Sequence, residues 1–143
     1  LEAEISTWAA NRPSVEALGL VPRDRCAELV SGARVAVVPS AWLEPFGLVV
    51  LEAMGAGVAV VAPEHGSFPE LVTDGVDGVL FPPGDVEALA SIFKRAVEFP
   101  AWFDELGRAG RKKFESDYRV ELNVAQLEEI YRFAIDNPRT RAA

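Results

Sequence analysis

The apolar residues of this chain fall into short continuous runs, separated by turn residues and by segments with helical spacing. In the runs 34–39 and 58–62, β-branched residues occupy consecutive rather than alternate positions, which is typical of strands buried on both faces of a parallel sheet. The shorter runs 15–21 and 79–81 also predict strands. The pattern therefore predicts four strands.

The remaining segments predict helices, because their apolar residues recur at helical spacing between residues typical of helix ends. Asp85 is a predicted N-cap, and Gly32 and Gly57 are predicted stops. The predicted helices are 23–32, 47–56, a single turn at 68–73, 85–99, 101–117 and 120–136. The apolar faces of 85–99 and 120–136 are predicted to carry Leu89, Ile92, Phe93, Ala96, Val97, Leu122, Leu127, Ile130, Tyr131 and Ala134.

Strands that alternate with helices predict an α/β fold, a Rossmann-like, doubly wound parallel sheet with flanking helices. We assign residues 1–136 to one partial domain and expect 137–143 to be a flexible tail. The chain has 143 residues and does not begin with Met, its only methionine being Met54. We therefore expect it to be a piece of a longer protein.

Composition excludes several classes of function. Half of the residues are hydrophobic, so the chain is not mainly disordered. The formal net charge of -8 disfavours binding to a nucleic-acid backbone. No apolar run reaches the roughly 18 residues of a membrane span, and no leader pattern opens the sequence. The single cysteine, Cys26, cannot form an internal disulfide, which suits a reducing compartment, and we expect a cytoplasmic protein.

Two carboxylates, Glu44 and Glu52, stand with seven residues between them in an otherwise apolar stretch. A helix that is apolar nearly all round belongs in a core, where a lone carboxylate is costly. Glu52 is therefore expected either at the rim of a cleft or bound to a ligand. The stretch also contains Gly47 at the predicted helix start, where a ligand can approach the backbone closely.

The position of this stretch indicates the kind of ligand. In open parallel sheets, ligands bind beyond the carboxyl ends of the strands, often at the N-terminus of the next helix. The free N–H groups there favour an anion, typically phosphate. Carboxylates accept hydrogen bonds from hydroxyls, and Glu44 and Glu52 would stand about 12 Å apart if the span between them is helical. A sugar nucleotide, with hydroxyls at both ends and phosphate between, fits this spacing.

The segment Glu44-Pro-Phe-Gly-Leu-Val-Val-Leu-Glu52 resembles the E-x7-E motif of the retaining GT-B glycosyltransferases, family 4-like (glycosyl transferases group 1). The resemblance continues through Glu52–Ala62 and through Pro69–Asp85, and it covers about residues 17–131. It implies that the chain is part of the C-terminal, donor-binding domain of such an enzyme. The parent would transfer a hexose from a nucleotide-diphosphate sugar to an unidentified acceptor.

The resemblance also implies a role for each matching residue. The catalytic residue Glu44 would meet hydroxyls of the transferred sugar, and Glu52 would hold the ribose hydroxyls. The donor-binding backbone of Phe46, Gly47 and Leu48 would meet the sugar and the distal phosphate. The segment Gly19–Val21 would border the base. Enzymes of this family usually need no bound metal, so we expect neither metal nor cofactor.

Two differences from the family pattern carry expectations. Gly66-Ser67-Phe68 stands where many relatives have two glycines, which alters the local loop. The family's Arg and Lys on the diphosphate, together with its N-terminal acceptor domain, have no counterpart in this sequence. In the family's sheet order two absent strands lie between 15–21 and 34–39, so we expect either a shifted pairing of 15–21 or an oligomer through an exposed sheet edge. The parent is expected in the cytoplasm or peripheral at the membrane, and this chain alone is expected to be inactive.

Simpler interpretations stand beside these. Glu44 is alternatively an ordinary loop carboxylate, and Glu52 a salt-bridged helix residue. His65 is expected to be a solvated loop histidine and Cys26 a packing or idle thiol. Glu70 is either near the donor pocket or a cap of a short helix. The basic residues Arg108, Arg111, Lys112 and Lys113 are expected to form a solvated helix face.

At the level of function, the alternative to the enzyme is a non-catalytic module that binds a sugar nucleotide or a partner. A GT-B-fold epimerase is a weaker third interpretation, because the resemblance with its Phe46-Gly47 pair points to the retaining transferases.

Overall fold

A computed structural model describes residues 2–138 of the chain. Two helices precede the first strand, helices and strands then alternate as far as the last strand, and three helices follow it. In chain order the elements are α1 Glu2–Ala10, α2 Arg23–Ser31, β1 Val35–Val37, α3 Leu48–Gly55, β2 Ala59–Pro63, α4 Phe68–Leu71, β3 Gly78–Phe81, α5 Val86–Glu98, α6 Pro100–Asp117 and α7 Val120–Asp136.

The three strands form one parallel sheet in the order β1-β2-β3. Every residue of the central strand β2 is buried, because both faces of that strand are covered. Val60 and Ala62 pack on α3 and α4, whereas Ala59 and Val61 pack on α5 and α6. This two-sided burial explains why the sequence of β2 is a continuous apolar run.

Most predicted elements are confirmed, including the α/β class with a parallel sheet and flanking helices. The bounds of α2, α4, α5, α6 and α7 agree with the sequence to within about two residues. Asp85 caps α5 as predicted, with its Oδ1 accepting the N–H of Ala88 at 2.9 Å. No helix within residues 2–138 is both long and apolar enough to cross a membrane.

The predicted strand at 15–21 is wrong. This segment is irregular and pairs with no strand of the described range, so the expected shifted pairing is also wrong. Gly19 has a left-handed backbone with φ of 60°, and the side chain of Leu20 is 99% exposed. Apolar residues alone do not form a strand here, because no neighbouring strand offers hydrogen bonds to this segment. Helix α1, before it, was not predicted.

Several predicted burials are also wrong. Strand β1 is only half-buried, because it lies at an edge of the sheet. On α5, Ile92 and Ala96 enter the core, whereas Phe93 and Val97 are exposed. Helix α7 has no buried residue, since no described element covers its apolar face. Of the predicted tail, Asn137 bonds to Phe133 O at the end of α7, and 139–143 lie outside the described residues.

Candidate functional site

The loop at 40–47 joins the carboxyl end of β1 to the start of α3 and carries Glu44, Phe46 and Gly47, whereas Leu48 and Glu52 lie on α3. Its apolar side chains contribute little to the core. Phe46 is 54% exposed, and Trp42 and Leu43 are also exposed. The loop therefore projects from the edge of the sheet at which the strands end, where ligands of parallel sheets bind.

Gly47 is the N-cap of α3, and the surrounding packing gives a structural reason for a glycine at this position. Its backbone is left-handed, with φ of 83°, and the residue is buried. A Cβ atom at this position would stand 2.9 Å from Leu71 Cδ1 and 3.2 Å from Ser67 Oγ. Glycine is therefore required by the turn and by the close packing of this loop on α4.

The first turn of α3 has unpaired donors. Gly47 makes no side-chain cap, and its carbonyl oxygen accepts the N–H of Val50 at 3.0 Å. Within residues 2–138, the N–H groups of Leu48 and Val49 find no acceptor. The side chains of Leu48 and Val49 are exposed as well, so this helix end is open to solvent. It is a helix terminus of the kind that binds anions.

Glu44 is half-buried in the same loop. Its Oε2 accepts the indole N–H of Trp42 at 3.1 Å, and its main-chain oxygen accepts the N–H of Ser67 at 2.9 Å. The first bond orients the carboxylate, and the second fixes the backbone that carries it. Glu44 is thus held in place at the sheet edge rather than free in solution.

Glu52 lies on the solvent side of α3, with its side chain 60% exposed. The neighbouring positions Leu51 and Ala53 are buried, so the predicted core location of this stretch applies to one face of the helix only. Only part of the span from Glu44 to Glu52 is helical, because α3 begins at Leu48. The estimate of about 12 Å for a fully helical span therefore does not apply.

Arg23, at the start of α2, was not predicted as a site residue. Its Nη2 lies 3.8 Å from Glu52 Oε1, and its side chain is 91% exposed. An ion pair this long and this solvated contributes little to stability, so it leaves Glu52 available to a ligand. The segment Gly19–Val21, expected to border the base, leads directly into α2.

A second loop, at 64–67, packs against the loop that carries Glu44. His65 Nε2 lies 3.0 Å from the carbonyl oxygen of Ser40, and its ring stacks on the buried ring of Phe68. His65 is half-buried, so the expected solvated histidine is wrong. A Cβ at Gly66 would stand 2.7 Å from Glu44 N, so the two backbones touch there.

The other candidates have simpler outcomes. Cys26 is a free and exposed thiol, which excludes the packing role. Glu70 is exposed in the first turn of α4, and its carboxylate accepts no hydrogen bond within residues 2–138, so it does not cap that helix. In the same described range, no three His, Cys, Asp or Glu side chains come together as a metal site.

The basic residues of α6 are not simply a solvated face. Arg111 donates to Gly55 O at the end of α3 and pairs with Glu115. Lys113 Nζ lies 3.2 Å from the buried Asp77 and 2.7 Å from Leu71 O. These contacts tie α6 to α3 and to the turn after α4. They could not be predicted from the sequence, because the paired residues are far apart in it.

The parallel sheet with flanking helices is a Rossmann-like α/β domain, and solved proteins of the GT-B fold superpose on it. The sequence model of the family described as "Glycosyl transferases group 1" matches residues 3–113. The chain belongs to this family.

Relatives of known name support the same assignment. The chain is 31% identical over 138 residues to the amylovoran biosynthesis glycosyltransferase AmsK of Erwinia amylovora. The aligned region covers 91% of this chain and 34% of AmsK. The chain thus spans about one third of the length of the curated relatives it matches.

Two solved structures share the fold closely. A sucrose-phosphate synthase from Thermosynechococcus elongatus superposes with a TM-score of 0.84 at 33% identity, covering 94% of this chain and 33% of the synthase. Anabaena HepE in complex with UDP-glucose superposes with a TM-score of 0.81 at 27% identity, covering 91% of this chain and 35% of HepE.

Proposed function

We propose that this chain is the donor-binding part of a retaining glycosyltransferase that transfers a hexose from a nucleotide-diphosphate sugar. The observation that carries the proposal is the open N-terminus of α3, with Glu44 before it and Glu52 on its exposed side. Glu44 is half-buried and Glu52 is exposed, and along the chain they stand on either side of the unpaired N–H groups of Leu48 and Val49. The UDP-glucose complex of a protein with the same fold supports a donor of this class.

In this proposal each group has a separate task. The N–H groups of Leu48 and Val49 and the dipole of α3 bind the distal phosphate, with Phe46 and Gly47 shaping the approach. Glu44 accepts hydroxyls of the hexose and orients it, and Glu52 accepts the ribose hydroxyls. Catalysis requires stabilisation of the negative charge that develops on the leaving diphosphate. The N-terminus of α3, between the two glutamates of the E-x7-E motif, supplies part of this stabilisation.

The remaining parts belong to the parent protein in this proposal. A basic Arg and Lys pair would complete the diphosphate site, and an N-terminal domain would bind the acceptor. We propose no metal or cofactor, and a location in the cytoplasm or peripheral at the membrane. The chain alone is then inactive. A non-catalytic binding module is not favoured, because the named relatives are transferases and synthases.

The proposal is tested by the stereochemistry of the product. The full-length parent is incubated with UDP-, GDP- and ADP-glucose, and the anomeric configuration of any product is read from its proton NMR coupling constant. Transfer with the donor's α configuration supports the proposal. Transfer with inversion, or turnover by the isolated 143 residues, contradicts it.

A further inference from the structure

The loop that carries Glu44 is held by few contacts of its own. Its aromatic and aliphatic side chains are mostly exposed, so apolar burial does little to fix it. Within residues 2–138, the main chain of 40–46 makes two hydrogen bonds, at its first residue and at Glu44. Both bonds come from the neighbouring loop at 64–67. The conformation of the first loop therefore depends on the second.

His65 makes one of these two bonds. A carbonyl oxygen only accepts, so the imidazole donates its Nε2–H to Ser40 O at 3.0 Å. The two residues stand 25 positions apart in sequence, and the bond joins the ends of β1 and β2. The other bond, from Ser67 N to Glu44 O, is only two residues away along the same loop.

The loop of His65 is itself well anchored. The imidazole stacks on Phe68, with ring centroids 6.1 Å apart and planes at 23°, and Phe68 is fully buried. The N–H of His65 bonds to Pro63 O at 2.8 Å, at the end of the central strand. Gly66, with φ of 59°, lets the chain turn against the Glu44 backbone. The well-anchored loop at 64–67 thus holds the loop at 40–46, whose side chains are mostly exposed.

We propose that His65 is a positioning residue of the glycosyl-transfer site, which fixes the Glu44 loop through Ser40. This inference rests on the proposed role of Glu44 and extends it, because it assigns a task to the one histidine of the chain. This role requires no contact between His65 and the donor, because the His65 Nε2 bonds to Ser40 O. It holds the backbone from which Glu44 reaches the sugar, and misplacement of such a group by about 1 Å lowers turnover by up to about 100-fold.

Three substitutions in the full-length parent separate this role from general stability. His65→Ala removes the ring and the donor, whereas His65→Gln removes the ring but keeps an N–H donor of similar reach. The difference between these two variants therefore isolates the hydrogen bond. Glu64→Gln is the matched control, because Glu64 is the adjacent residue of the same loop and its side chain is exposed. If His65→Ala fails to fold, His65→Met replaces it as a bulkier side chain without a donor.

The first measurement is hydrogen exchange at the Ser67 amide, which donates to Glu44 O and so reports the attachment of the Glu44 loop. We expect its exchange to be about fivefold to tenfold faster in His65→Ala, which corresponds to the loss of one hydrogen bond. Exchange should stay near the wild-type rate in His65→Gln and in Glu64→Gln. Unchanged exchange in His65→Ala would overturn the proposal.

The second measurement is a double-mutant cycle on turnover, with whichever of UDP-, GDP- and ADP-glucose the parent uses. We expect His65→Ala to lower kcat about tenfold, with a smaller change in KM for the donor, and His65→Gln to restore most of it. In a Glu44→Ala background, His65→Ala should cost nothing further. Additive effects would show that His65 does not act through Glu44. Full turnover by Glu44→Ala alone would instead contradict the proposed function, and the Ser67 exchange would still decide whether His65 holds the loop.

Discussion

Glu44 and Glu52 differ in how the fold holds them, and this difference predicts different effects of substitution. Glu44 is half-buried and bonded to Trp42, whereas Glu52 is exposed on α3. In the full-length parent, Glu44→Gln should lower kcat by about 100-fold or more, because it would weaken the proposed contact to the reacting sugar. Affinity for the nucleotide alone should change by less than about twofold, since in the proposed site Glu44 meets the sugar and not the nucleotide. Steady-state kinetics and calorimetry measure the two quantities, and a loss confined to nucleotide affinity would contradict the assigned role.

Arg23 stands close to Glu52 but should contribute little to folding. Both side chains are mostly in solvent, and their closest approach is 3.8 Å. Arg23→Ala should change the free energy of unfolding by less than about 0.5 kcal/mol. Urea titration of both proteins measures this difference. A loss above about 1 kcal/mol would show that the pair is a structural contact, and Glu52 would then be less available to a ribose.

Among the elements, the turn after α4 is tied to α6 by a partly buried ion pair. Asp77 accepts the Thr73 N–H at 2.7 Å and pairs with Lys113 at 3.2 Å. Asp77→Ala should destabilise the fold by about 2–4 kcal/mol, because it removes the counter-ion of the partly buried Lys113 and the acceptor of the Thr73 N–H. The control is Glu115→Ala, which removes an exposed partner of Arg111 on the same helix and should cost less than about 1 kcal/mol. Urea unfolding of both variants gives the comparison, and equal losses would refute the distinction.

The elements also show which features the sequence could predict. Strand β2 and the helix that Asp85 caps follow from local patterns, so they were predicted closely. The run 15–21 is as apolar as a strand, but strand formation depends on a pairing partner, which local sequence does not reveal. In the candidate site, the motif predicts Glu44, Gly47 and Glu52 as donor-site residues, and their roles stay predictions.

Neither the hydrogen bond from His65 to Ser40 nor the proximity of Arg23 to Glu52 could be predicted from the sequence. His65 and Ser40 are 25 residues apart, so only the folded structure brings them together. The same reason applies to Lys113 and Asp77, which are 36 residues apart. A side chain that links two distant segments is not marked by any local sequence pattern. Buried strands and helix caps are marked by such patterns.

For the whole molecule, the two edges of the sheet differ. The free edge of β3 is covered by its own turn, since Asp74 Oδ1 accepts the N–H of Leu80 at 2.8 Å. On β1, Val38 N bonds to Val61 O of β2, so the main-chain groups of Val37 face away from the sheet. Within residues 2–138, no strand pairs with that side of β1. Such an edge is a template for another strand.

We therefore predict that the isolated 143-residue chain self-associates through β1. Sedimentation velocity over a range of protein concentrations measures the association. Val37→Pro removes the outward N–H and should shift the equilibrium toward monomer, without disturbing the bond from Val38 to β2. A chain that is monomeric at every concentration would rule this association out.

The most direct test concerns donor binding by the helix end and its two carboxylates. Calorimetry of the full-length parent with UDP, GDP and ADP should show that one of these nucleotides binds. Glu52→Ala should weaken the binding of that nucleotide about tenfold or more, because the variant loses hydrogen bonds to a charged carboxylate. Arg25→Ala, on the neighbouring helix α2, is the control, because that residue pairs with Glu28 and not with Glu52. Its affinity should equal that of the wild type. Binding of none of the three nucleotides, or equal affinity with and without Glu52, would contradict a sugar-nucleotide site at α3.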